Sequence, residues 1–155
     1  MNTEQIKVHF LQALEGDEYH TETMWCNKDS ENYILDNIPC IAKNISLSDI
    51  ISVEYDQGDD KYYFDEFIEY SGNSTVRLVI EDEVFRREIN KEFEETFGCK
   101  TTMLKEMNLL AVNIRKNVDY RPIKIFLQNG EDQGKWNYEE SCLSDEHRNQ
   151  INFVK

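Results

Sequence analysis

The chain has 155 residues, enough for one domain or two small ones whose apolar interior needs no disulfide or metal staple. Acidic residues number 31 against 17 basic ones, a formal balance of −14, which excludes the basic stripe of a nucleic-acid binder and disfavours anionic membrane surfaces. A field of that sign keeps a protein soluble and monomeric, and it also draws basic partners toward it.

The first half reads as strands. Ile6, Val8 and Phe10 alternate on one face of a strand over residues 5–13. A turn at residues 15–18 leads to a strand over 19–27, with Thr21, Thr23 and Trp25 on one side and His20, Glu22 and Met24 on the other. A short third strand over 32–37 is interrupted before Pro39, which has no N–H for a ladder. Ile41, Ile45 and Leu47 then plug the interior from an irregular segment. Strands over 49–55 and 61–70 flank a hairpin turn at Gln57-Gly58-Asp59-Asp60. This pattern predicts a small antiparallel barrel-like sheet over residues 1–72.

After Ser71-Gly72-Asn73 the period changes. A strand over 74–80 precedes a helix capped by Asp82, with Val84, Phe85, Ile89, Phe93 and Phe97 inward and Gly98 at its end. Strands over 100–105 and 109–115 follow. Asp119 is placed to cap a second helix, with Ile123, Phe126 and Leu127 inward and Gly130 as its stop. A last strand over 135–141 carries Trp136 and Tyr138. The order β-α-β-β-α-β predicts a ferredoxin-like unit over residues 73–143, and an α+β fold for the whole. Residues 144–155 read as a polar tail with an Ile151-Phe153 anchor, frayed or folded as a short extra element.

Candidate chemistry is sparse. Cys26, Cys40, Cys99 and Cys142 form no C-x-x-C pair and match no zinc spacing, so reduced, partly buried thiols are expected. Cys99 follows a helix C-terminus, whose partial negative charge disfavours a thiolate. His9 and His20 flank the first turn and could face each other, with Glu22 near, but no metal motif supports the set, and neither a metal nor a cofactor is expected. Among the three histidines, His147 lies in the tail. No nucleotide-binding, nucleophile-elbow or zinc-protease motif occurs, so no catalytic residue is assigned and the chain is not read as an enzyme. With no apolar signal-peptide core or membrane-length run, the expected compartment is the cytoplasm.

Two segments carry binding expectations. The acidic aromatic hairpin offers Asp59, Asp60, Tyr62, Tyr63, Asp65 and Glu66, and the first helix offers Glu88, Glu92 and Glu95, as a surface for a basic protein. Ser71, Gly72, Ser74, Thr75 and Arg77 form a small polar stretch ending in a lone Arg, suited to an anion in a crevice between the two halves.

In order, Glu22-Thr23-Met24-Trp25, Tyr33-Ile34-Leu35-Asp36-Asn37-Ile38-Pro39, Ile45-Ser46-Leu47-Ser48-Asp49-Ile50-Ile51, Ser71-Gly72-Asn73-Ser74-Thr75-Val76-Arg77 and Trp136-Asn137-Tyr138-Glu139-Glu140 resemble domain-of-unknown-function family 4265. Leu109-Leu110-Ala111-Val112 and Val118-Asp119-Tyr120 fit the same family. The resemblance runs from about Val8 to Leu143. The family commonly has Gly where this chain has Ser48, and often His where it has Asn73. No catalytic role is implied. By analogy with small acidic bacterial proteins, the resemblance suggests an immunity partner that neutralises a basic toxin domain. A regulatory module for a small anion is the alternative.

Overall fold

The structure, a computed structural model, describes residues 4–13, 16 and 18–152, and the chain divides into two compact units, Met1–Ser71 and Gly72–Lys155. The predicted turn at 15–18 and Phe153 fall mostly outside the described residues.

The first unit is a closed barrel in the order β1 (Gln5–Ala13), β2 (Tyr19–Asp29), β3 (Asn32–Leu35), β4 (Ile50–Asp56) and β5 (Lys61–Glu69). Consecutive strands are antiparallel. Five strands in an up-and-down order leave the first and last pointing the same way, so the closing pair, β1 with β5, is parallel. The period of two puts Val8 and Phe10 of β1 and Met24 and Cys26 of β2 inside, with Leu35 and Ile51.

β3 ends two residues earlier than the sequence predicts. There the Asn37 side chain accepts the Trp25 N–H at 2.7 Å, replacing a ladder carbonyl. The segment between β3 and β4 does plug the core, but through Ile38, Ala42 and Ile45, while Ile41 and Leu47 stay half-buried. Its conformation is set by Glu22, whose carboxylate accepts the N–H groups of Cys40, Ile41 and Ala42 at 2.7, 3.0 and 2.8 Å. Asp49, fully buried, accepts the N–H groups of Ser46 and Ser71, both at 2.8 Å.

The second unit contains β6 (Ser74–Val79), α1 (Glu83–Glu95), β7 (Lys100–Leu104), a 3-10 turn (Lys105–Met107), β8 (Leu109–Ile114), α2 (Arg121–Asp132), β9 (Asn137–Cys142) and α3 (Asp145–Asn152). The sheet order β7-β8-β6-β9, antiparallel throughout, is ferredoxin-like. Val76, Leu78, Leu110, Val112 and Ile114 meet Phe93, Ile123, Leu127 and Trp136 in one core. Burying a side chain such as Phe93 is worth about 2–3 kcal/mol, so this face fixes the helices more firmly than their intrinsic propensity does.

Asp82 caps α1 as predicted, accepting the Phe85 N–H at 2.9 Å. Val84 does not face inward; it is 66% exposed, and Arg86 is buried instead, donating to the Ile80 carbonyl at 2.6 Å. α2 differs in both ends. Its N-cap is Tyr120, without a side-chain cap bond, and Asp119 accepts the Arg121 N–H at 3.1 Å from one position earlier. Gly130 does not stop α2, which runs on to Asp132. The tail forms α3, held by a fully buried His147. Among the described residues, no helix is long and apolar enough to cross a membrane.

Candidate functional site

The β4–β5 hairpin builds an open concave surface on the barrel. Asp56 Oδ1 accepts the Gly58 N–H at 2.8 Å and the Asp59 N–H at 3.3 Å, folding the tip over its own side chain. Asp60 closes the turn in the left-handed region, φ 56°. The carboxylates so placed then catch the neighbouring phenols. Tyr63 donates to Asp59 Oδ2 at 2.6 Å, and Tyr55 donates to Asp60. Each bond holds the phenol protonated, so both hydroxyl pKa values lie above the ordinary tyrosine value.

Between this hairpin and β1 lies an open groove of about 850 Å³, lined by residues 54–59 together with His9, Leu11, Tyr63 and Phe64. Leu11, Tyr55 and Phe64 are 60%, 44% and 37% exposed. Phe64 stacks on Phe10, with ring centroids 5.3 Å apart, and Tyr55 leans on Tyr62 at 5.0 Å. These rings are held by the barrel yet leave apolar area open to solvent. Glu54, Asp56 and Asp59 supply the charge. His9 shares a hydrogen bond with Thr23 Oγ1 through Nδ1 at 2.9 Å and lies 5.5 Å from the Tyr63 ring. Its pKa is lowered, first by burial and then by Lys61.

Of the residues expected to meet a basic partner, Asp59 and Tyr63 line this groove, and Asp60 orients its Tyr55 wall. Tyr62 packs against the barrel core. Asp65 and Glu66 are exposed further along β5, where Ser52 Oγ donates to Asp65 at 3.1 Å. Glu88 and Glu95 are exposed on α1 of the second unit, and Glu92 is half-buried. Leu11, Glu54, Tyr55 and Phe64 of the groove are not among the contact residues expected from the sequence, and His9 is expected there only as a candidate to face His20. Leu11 was visible as an apolar residue on the outward side of β1. What brings it beside Phe64 is the parallel β1–β5 closure, which no local pattern encodes.

The other expected sites are placed as follows. Ser71 donates its hydroxyl to the Leu47 carbonyl at 2.9 Å. Gly72 has φ 92°, and the Lys116 side chain lies where a Cβ would project. Ser74 is fully buried against His147, and the Thr75 carbonyl accepts the Ser141 hydroxyl at 3.3 Å. Arg77 is 2% exposed and donates Nε–H to Glu139 at 2.7 Å, its cross-strand neighbour. His9 and His20 do not face each other. The register sets His9 opposite Thr23 and His20 opposite Gln12, and Glu22 is committed to the loop. Among the described residues, no three His, Cys, Asp or Glu side chains group as metal ligands. Burial pushes Cys26 up to about 12 and Cys99 up to about 11, so desolvation, rather than the α1 terminus, is the leading cause at Cys99.

Comparison with known proteins agrees with this architecture. A crystal structure of a hypothetical protein from Neisseria gonorrhoeae is similar, with 26% identity and a TM-score of 0.78, over 93% of this chain and 99% of that one. No curated protein matches. Residues 22–138, from the carboxylate that grips the barrel loop to the last strand of the second sheet, match the profile of the domain of unknown function DUF4265, and the chain belongs to that family.

Proposed function

We propose that this protein is an acidic immunity protein, one that binds and neutralises a basic toxin domain by direct protein contact. One observation carries the reading. The barrel presents exposed Leu11, Tyr55 and Phe64 in an open groove bordered by Glu54, Asp56 and Asp59. Protein interfaces draw most of their energy from a few buried aromatic anchors, and charge around them sets encounter rate and partner choice. Here the two aromatic anchors are pre-ordered, Tyr55 by its bond to Asp60 and Phe64 by stacking on Phe10. The balance of −14 favours a partner of opposite sign, and toxin domains that act on nucleic acid are commonly basic.

The test is co-expression with the product of the adjacent gene, scored by complex formation and by rescue of growth. The expected result is a complex of micromolar affinity or tighter, and rescue lost in Tyr55→Ala and Phe64→Ala. An adjacent gene product that is harmless, or one that does not bind, overturns the reading.

A further inference from the structure

β1 and β5 run side by side in the same direction, and their register consists of Val8 with Tyr62 and His9 with Tyr63. Among the described residues no further pair joins them, although β1 continues to Ala13 and β5 to Glu69. The cause lies on the other side of β5. Its register against β4 shifts between Ile51 and Val53 and again between Ile50 and Ile51, so β5 carries extra residues at both places. Ser52 pins the first shift, donating to Asp65 and accepting the Glu66 N–H at 3.0 Å. Extra residues bend a strand and increase its twist. β5 therefore leaves β1 just beyond Tyr63, where the groove opens. Along the departing stretch Phe64, Asp65, Glu66, Ile68 and Glu69 are all exposed.

We propose that residues 64–69 of β5 are a docking edge, to which an extended basic segment of a partner protein adds as a strand. The inference rests on the partner-binding reading above and assigns its mode. A strand edge binds through main-chain hydrogen bonds, while alternate side chains give specificity. Here those side chains are apolar at Phe64 and Ile68 and anionic at Asp65, Glu66 and Glu69, so the complement is a strand of apolar and cationic residues. Charge also decides against a second copy of this chain. Antiparallel pairing of β5 with itself brings carboxylates near carboxylates, and like charges across a strand pair are destabilising. The acids and the two register shifts are the devices by which natural edges resist open-ended pairing. They leave a short stretch that accepts a partner of opposite charge.

The experiment uses the full chain and a short synthetic peptide alternating lysine and valine, with two controls. One control is the same peptide N-methylated on alternate residues, which keeps its charge and side chains but removes main-chain donors. The other alternates glutamate and valine. The lysine peptide is expected to slow amide hydrogen exchange across residues 64–69, N-methylation to weaken its binding by about tenfold or more, and the glutamate peptide not to bind. Asp65→Lys with Glu69→Lys is expected to abolish the effect. Equal binding of the N-methylated peptide, protection confined to residues 57–60, or dimerisation through β5 without peptide each overturns strand addition. A toxin complex that loses affinity in Tyr55→Ala but leaves exchange at 64–69 unchanged sinks this inference alone. A failure to find any basic protein partner sinks the function itself.

Discussion

The indole of Trp136 lies directly over Gly130, so close that a Cβ at residue 130 would fall 1.9 Å from the ring. Trp136 Nε1–H donates to the Leu127 carbonyl at 3.0 Å, which seats the ring across the last turns of α2. Replacing Gly130 by Ala therefore sets two effects against each other. Helix propensity favours Ala by about 1 kcal/mol. Overpacking of a filled core costs about 1–3 kcal/mol, and here the neighbour is a rigid ring anchored by its own hydrogen bond. Gly130→Ala is expected to lose about 1–2 kcal/mol net, read as a lower denaturation midpoint. In a Trp136→Ala background the same change is expected to be neutral or stabilising. A Gly130→Ala protein more stable than the parent contradicts the packing described.

Ser48 adopts φ 72°, a conformation that suits glycine. Its N–H donates to the Leu35 carbonyl at 2.7 Å, so the backbone there is held in place by the barrel. A non-glycine residue in this region carries roughly 1 kcal/mol of strain, partly offset by the greater unfolded-state freedom of glycine. Ser48→Gly is expected to raise the urea midpoint, with a gain of about 0.5 kcal/mol or more and an unchanged denaturant slope. An unchanged or lowered midpoint shows that the left-handed backbone carries no strain.

These two positions mark what the sequence could and could not convey. Period-two and period-3.6 patterns located the strands and helices, because each buries one face on a core. The Gly at 130 read as a helix stop, because a terminal glycine and a glycine under a ring look identical without the ring. Ser48 departs from the glycine common in the family, and its φ supplies the reason that glycine belongs there. The hairpin acids and tyrosines were legible as a local acidic aromatic run. Their union with His9 and Leu11 was not, since it depends on closure between strands more than fifty residues apart.

His147 holds α3 to the sheet. Ser74 Oγ accepts the Ser144 N–H at 2.8 Å and donates to His147 Nδ1 at 2.6 Å, leaving Nε2–H to donate to the Val118 carbonyl at 2.9 Å. That network needs neutral imidazole, and burial lowers the His147 pKa although the backbone hydrogen bonds to Val118 and Arg115, and after them Glu146 and Asp119, pull the other way. A base whose folded pKa lies below its unfolded value of 6.5 contributes stability that is complete above 6.5. The contribution is lost as pH falls from 6.5 through the folded value. His147→Gln is expected to be less stable than the parent at neutral pH, and the gap to narrow in mildly acidic buffer. Urea titrations of both proteins across that range check it; a constant gap overturns the assignment. Comparison with the variant is needed because Asp49, raised chiefly by burial, gains stability as it protonates and so opposes the trend at lower pH.

Glu22 organises the loop that closes the barrel. Its two oxygens accept three consecutive N–H groups, and nothing in an alanine replaces them. A hydrogen bond to a charged group contributes about 1.5–3 kcal/mol, and the three bonds share one half-buried carboxylate, so Glu22→Ala is expected to cost about 2–3 kcal/mol. Amide exchange at Cys40, Ile41 and Ala42 is expected to accelerate before global unfolding. Glu22→Gln keeps one acceptor oxygen and is expected to retain part of the protection. Exchange at these amides unchanged in Glu22→Ala contradicts the grip.

The groove makes a prediction about rates that separates charge from shape. Asp59 is exposed and bonded to Tyr63, so Asp59→Asn removes a charge yet leaves an acceptor for the phenol. Tyr63→Phe removes the bond and keeps the ring. If a basic protein docks here, steering lowers the association rate when Asp59 is neutralised, and the effect shrinks as salt shortens the screening length to about 3 Å at molar ionic strength. Tyr63→Phe is expected to act chiefly on dissociation, since the ring loses its fixed orientation while the field is unchanged. Stopped-flow association across a salt series distinguishes the two. A partner whose association rate ignores both salt and Asp59→Asn docks elsewhere on the molecule, because no site bordered by Glu54, Asp56 and Asp59 can be approached by a cation without sensing them.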